Sequence, residues 1–275
     1  MKSNSKLLSA PYTVWMTVFI ILPMLLVAYF AFTDKSGSFT LENIMSVGQY
    51  SNVFLRSIWL GAVATAVSLG LGYPLAYIIA KMDVKRQNVM VMLVMLPMWM
   101  NFLLRTYAWM TLLEDNGLIN AALTAMGLPR AHMINTSGAV VLGMVYNYIP
   151  YMILPLYSVL TKIDQSVIEA AQDLGADSRK VFLKVVVPMS MPGIISGVTM
   201  VFVPAVSTFI ISKMLGGGGN LLIGDLIDMQ FLGSAYNPNL GSAVSLVLMV
   251  IIIICMGIMN QFDDGESAAG GGMLI

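Results

Sequence analysis

Six stretches of the chain are almost free of charge and close to the length of a bilayer crossing. They run from Pro11 to Phe32, Ser57 to Ala80, Val89 to Leu113, Ser137 to Leu160, Met189 to Ser212 and Ser242 to Met259. A hydrocarbon core about 30 Å thick takes about 20 apolar residues in a helix. The pattern predicts an all-α integral membrane protein with six transmembrane helices and no soluble domain of useful size between them. The first stretch is too long, and too weakly marked by small residues, for the apolar region of a signal peptide, so it reads as a retained span.

The longest charged interruption runs from Ser166 to Pro188 and reads as two short helices broken at a glycine. Ser166 suits an N-cap, with Glu169 three residues on completing a capping box. Gly175 suits the left-handed position that ends a helix. Asp177 or Ser178 then caps a second helix carrying Arg179, Lys180 and Lys184, which Pro188 is expected to stop. The result is a bent, charged elbow between the fourth and fifth spans.

Lys and Arg mark the cytoplasmic side of a membrane protein. With a cytoplasmic N-terminus, Lys2, Lys6, Lys81, Lys85, Arg86, Lys162, Arg179, Lys180 and Lys184 fall inside, and Lys35, Arg56, Arg130 and Lys213 fall outside. That bias places both termini and the elbow in the cytoplasm. The chain divides into residues 1–56 (first span and first outer loop), a membrane core over 57–260 with the elbow at 161–188, and a tail over 261–275 whose acidic, Gly/Ala-rich composition reads as disordered.

Composition narrows the function. The chain is 58% hydrophobic and 10% charged, with 14 basic residues balancing 14 acidic ones. No basic face for a nucleic acid is indicated. The one cysteine, Cys255, lies in an apolar run and the one histidine, His132, in a polar loop, so disulfides and Cys/His metal sites are not expected. No nucleophile–histidine pair or carboxylate pair suggests an enzyme. The run Gly216 to Gly219 continues with Asn and Leu rather than Lys-Ser/Thr, so it reads as a flexible turn and not a phosphate loop. Leu221 to Leu232 reads as a short interfacial or re-entrant helix.

What remains points to a path or a scaffold. Pro23, Pro74, Pro97, Pro150, Pro155 and Pro204 interrupt the spans, and such breaks are tolerated where neighbouring helices or a cavity satisfy the freed backbone. Arg105 is the ionisable residue away from a span end, and charge inside a membrane defaults to function. In a straight third span, Pro97, Asn101 and Arg105 share one face, with Trp99 and Tyr107 beside it. Tyr146, Asn147, Tyr148 and Tyr151 form a polar-aromatic group suited to a cation. Asp225 and Asp228, with Glu114 and Asp115, are placed to attract a cation at the outer entrance.

Glu169-Ala170-Ala171 with Asp173, Gly175 and Pro188 resembles the EAA motif of ATP-binding-cassette importer permeases. Leu71-Gly72-Tyr73-Pro74, Pro97-Met98-Trp99-Met100-Asn101 with Arg105, and Asn220-Leu221-Leu222-Ile223-Gly224 with Gln230-Phe231 are similar to the spermidine/putrescine permeases of that family, over about Pro11 to Met259. The resemblance implies the type I importer permease (MetI-like) fold in a bacterial inner membrane. It implies that Glu169, Ala170, Ala171, Asp173 and Gly175 couple to an ATPase. It also implies a second homologous permease, two copies of a cytoplasmic ATP-binding subunit that hold ATP and Mg, and an extracytoplasmic polyamine-binding protein; this chain itself would carry no cofactor. Two other readings stand beside it: an importer of small anions, which Arg105 would suit better, and a membrane scaffold without transport.

Overall fold

The computed structural model describes residues 11–233 and 235–270, with side chains described through 259 and at 261. Lys2 and Lys6, counted above as cytoplasmic, and the last residues of the tail, 271–275, lie outside the described residues. Every named element is helical. The elements are α1 (Pro11–Ala31), α2 (Glu42–Val47), α3 (Ser51–Ala80), α4 (Val84–Trp99), α5 (Phe102–Leu113), α6 (Leu118–Ala125) and α7 (Ser137–Leu160). There follow α8 (Gln165–Asp173), α9 (Ser178–Val181), α10 (Met191–Val206), α11 (Ile210–Leu215), α12 (Ile223–Phe231) and α13 (Pro238–Gly270), the last running on into the segment expected to be a tail.

Four helices are long and apolar enough to cross a bilayer, and the count reaches the expected six when each of two bent helix pairs is taken as one crossing. The third crossing is not the straight helix that its composition suggests: α4 meets the helical segment beginning at α5 at 88°. Pro97 has no N–H to continue the helical ladder, Met100 turns extended, and the Asn101 side chain starts a new helix by accepting from the Leu103 and Leu104 N–H groups at 2.8 and 3.3 Å. The fifth crossing bends by 64° between Met189 and Met191. Pro188 does not stop that helix. A π-helical turn, Phe182–Val186, precedes it, the helix runs on through Val187–Met189, and the bend falls at Ser190. The wider turn lets the ring enter without meeting the carbonyl four residues back.

The centre is a three-helix pack of α3, α7 and α10, with α13 clamping α1, α2 and α12 on one side. Without a hydrophobic force between helices in lipid, close approach through small residues supplies the packing. Gly197 of α10 lies so near α7 that an added Cβ would sit 2.7 Å from the Met152 sulfur, and a Cβ added at Gly72 of α3 would meet the same methionine at 3.1 Å. Met152 itself is fully buried. The α1 helix is almost wholly uncovered and touches the rest mainly through α13.

Candidate functional site

The elbow is built by its caps. Asp164, not Ser166, caps α8: its Oδ1 accepts from the Ser166 N–H at 2.9 Å, so the helix starts at Gln165, earlier than the Ser-x-x-Glu spacing suggested. That hydrogen bond, joined by the Ser166 hydroxyl, holds the Asp164 carboxyl below its ordinary value. At the other end the Ala176 N–H reaches the Ala171 carbonyl at 3.1 Å and the Gly175 N–H reaches Gln172 at 2.8 Å. With Gly175 at φ 83° this is a Schellman ending, which needs a residue at ease in the left-handed region. Asp177 then caps α9 through the Lys180 N–H at 2.7 Å, as expected.

Glu169, Ala170, Asp173 and Gly175 are exposed, and Ala171 is half-buried against the bundle. Two features were not read from the sequence. First, Leu174 is 90% exposed, and Val167, Ala170 and Leu174 form an outward apolar ridge beside Glu169 and Asp173. The spacing i, i+3, i+7 was a readable signal for it. Second, the elbow is tied to α3: Phe182 meets the rings of Tyr73 and Tyr77 edge-on at 5.7 and 5.3 Å, and the Tyr73 hydroxyl shares a 2.7 Å hydrogen bond with Ser190 at the fifth-crossing bend.

The residues expected along a path are dispersed. The 88° break takes Pro97, Asn101 and Arg105 off any common face, and Asn101 is occupied as a helix cap. Trp99 and Tyr107 are exposed, whereas Arg105 is buried, with Nε and Nη1 lacking hydrogen-bond partners. Successive positions on α7 point around the helix rather than into one group. Tyr146 stacks edge-on with Trp109 at 5.4 Å, Asn147 donates to the Gly143 carbonyl, Tyr148 flanks the core and Tyr151 is exposed. His132 pairs with Asp115 at 2.9 Å in an exposed loop.

At the opposite end of α3 from the elbow, the glycine run makes the expected turn, anchored at Asn220. The Asn220 side chain donates to the Gly216 and Asn135 carbonyls and accepts from Ser137 and Arg56. Beyond the turn α12 begins as expected, capped by Asp225, whose Oδ2 accepts from the Leu222 N–H at 2.9 Å. Burial pushes the Asp225 carboxyl up, opposed by Ser212, that N–H and Lys213. Asp228 pairs with Lys213 at 3.1 Å.

The structure thus defines a helical membrane bundle of four long helices and two bent pairs, with a capped, exposed elbow ahead of the second bend. The chain belongs to the family of binding-protein-dependent transport system inner membrane components, whose sequence profile matches residues 72–265. It is 38% identical over 250 residues to the spermidine/putrescine transport system permease protein PotB of Haemophilus influenzae, covering 87% of each chain. To the protein of the same name from Escherichia coli it is 35% identical over 255 residues, covering 89% of this chain and 91% of that one. The Escherichia coli inner membrane ABC transporter permease protein YdcU is 28% identical over 261 residues, covering 88% and 83%. Among solved structures, a bacterial ABC transporter involved in the import of the polysaccharide alginate has the same fold, with a TM-score of 0.75 at 19% identity over 94% of this chain and 95% of that one. The protein is thus an inner-membrane permease component of an ATP-binding-cassette importer.

Proposed function

We propose that this chain is one of two related permeases of an importer for spermidine and putrescine. The observation that carries the proposal is the 35–38% identity to polyamine permeases along almost the whole chain. In this reading two cytoplasmic subunits hold ATP and Mg, and an extracytoplasmic polyamine-binding protein delivers the cargo. Closure of the ATPase dimer moves the elbow, and the crossings alternate between outward and inward openings; the dispersal of Trp99, Asn101, Arg105, Tyr107, Tyr146 and Tyr148 means that this chain alone does not line one path with them.

The elbow supports the coupling role because its exposed ridge has nothing to do within the chain. Leu174, 90% exposed, contributes little to folding, yet burying a leucine side chain in a partner's groove is worth about 1.5–3 kcal/mol. Leu174→Asp is expected to leave the subunit folded and inserted while weakening its hold on the ATPase roughly ten- to a hundredfold, read by co-purification. Gly175→Val tests the bend itself. Nothing lies within 4 Å of an added Cβ, so its cost is conformational alone, about 1–2 kcal/mol for leaving the left-handed region to a non-glycine residue. Normal ATP-driven uptake of labelled spermidine in both variants would refute the coupling role.

One observation favours a second reading. Arg105, buried with two unpartnered guanidinium nitrogens, suits an anion better than a polycation. Competition separates the readings: unlabelled putrescine should block spermidine uptake, and oxyanions should not.

A further inference from the structure

A small cavity of about 200 Å³ opens at the end of the bundle away from the elbow, lined by Ser212, Lys213, Asn220, Asp225 and Asp228 among others. Its charge is unusual for the chain, since two carboxylates face one ammonium. Asp225 is only 8% exposed, and its Oδ1 has no hydrogen-bond partner, since the neighbouring Ser212 hydroxyl donates instead to the Phe209 carbonyl at 2.9 Å. The capping of α12 does not explain this, because capping uses Oδ2 alone. A buried carboxylate left partly unpaired carries a charge-desolvation cost that a neutral asparagine cap would avoid. Asp228 is covered as well, whereas the Lys213 side chain that bonds it is 68% exposed and so reaches in from solvent.

We propose that this cavity receives a terminal primary ammonium of the cargo, and that the Lys213 ammonium is its stand-in when cargo is absent. The inference rests on the polyamine reading above. An alkylammonium offers three N–H donors on a narrow stem, the same chemical end as a lysine side chain. The cavity is several times the ~30 Å³ share of one water, so it admits the end of an extended cation and not a bulky one. On entry the cargo ammonium bonds Asp228, Lys213 swings out to water, and the wall opens enough for the buried Asp225 Oδ1 to turn toward the cargo. The Asn220 anchor fixes the wall behind it, with Arg56 held away from the carboxylates by the Gly219 carbonyl and the Asn220 side-chain oxygen at 2.8 and 2.7 Å. Because the exchange replaces one ammonium by another, the cargo is held weakly, which suits a waypoint between a binding protein and a path.

The test uses the assembled complex in proteoliposomes with its polyamine-binding protein and labelled spermidine. Asp225→Asn keeps the helix cap and removes the charge. Losing one charged hydrogen bond should lower spermidine taken up per ATP hydrolysed roughly tenfold. Lys213→Met frees the carboxylates and should raise uptake at sub-saturating cargo roughly threefold, a gain that misfolding cannot mimic. Wild-type uptake in both variants overturns the proposal while leaving the polyamine reading intact. If wild-type complex takes up neither spermidine nor putrescine, the polyamine reading itself fails. Should Asp225→Asn not assemble, the Lys213→Met arm decides: unchanged or lower uptake overturns the ammonium site.

Discussion

Asp225 shows how one side chain can serve the fold and strain against it. Its Oδ2 caps α12, but burial raises the carboxyl above its ordinary 3.8. The folded protein therefore binds this proton more tightly than the unfolded chain, so stability falls as pH rises from 3.8 through the folded value. Asp225→Asn retains an acceptor for the Leu222 N–H and removes the titration. The variant should melt at a higher Tm than wild type at pH 7, with the gap narrowing as the pH is lowered toward 4. Identical melting across that range would mean that the folded state fully compensates the charge. Asp164 has the opposite sign. Its carboxyl is held below the ordinary value by Ser166, so its help to the α8 cap is complete above 3.8 and is lost as pH falls through the lower folded value.

Among the helices, the break between α4 and α5 is the feature most dependent on a single residue. Asn101 satisfies two N–H groups at the start of α5 that would otherwise be unpaired in an apolar setting. Asn101→Ala is expected to cost about 1 kcal/mol and Asn101→Asp to restore the cap, read as the stability of the purified subunit. The reason this break was not legible is physical. Pro97 and Asn101 are visible in the sequence, but a proline in a membrane helix produces anything from no bend to a full turn. Pro74 sits inside the unbroken α3, and Pro150 and Pro155 sit inside α7. Which outcome follows depends on packing against distant residues. The elbow was far more legible because its instructions are local: Asp177 and Gly175 act within a few residues of themselves. Even there, Asp164 outcompeted Ser166 for the cap, and the tie of Phe182 to Tyr73 and Tyr77 spans about a hundred positions of chain. The apolar segments were legible because the bilayer sets a minimum length. Their ends were not, since the helix Glu42–Ala80 begins well before Ser57 and the bent pair opening at Ser178 well before Met189, and the dispersal of the path residues follows from bends and helix rotations.

Taken as a whole, the molecule has two differently charged ends. Lys81, Lys85, Arg86, Lys162, Arg179, Lys180 and Lys184 lie at the elbow end of α3 and α7. The glycine turn docks on Arg56, near the start of α3, so it and the proposed ammonium cavity lie at the other end. From Arg56 to Lys81, 25 helical steps at about 1.5 Å each separate the ends by ~37 Å, more than a hydrocarbon core. That separation is what the proposed roles need, cargo received at one face of the membrane and force at the other. The positive-inside bias predicts that the elbow end is cytoplasmic. Cys255 is the sole cysteine, so a Cys255→Ser background allows single-site labelling. In intact spheroplasts a membrane-impermeant maleimide should label Ser36→Cys, in the exposed loop after α1, and should reach Ser178→Cys, on the exposed elbow, only after the membrane is opened. Labelling of Ser178→Cys in sealed cells would invert the molecule, placing the elbow where no ATPase could reach it and the ammonium cavity in the cytoplasm, away from the binding protein.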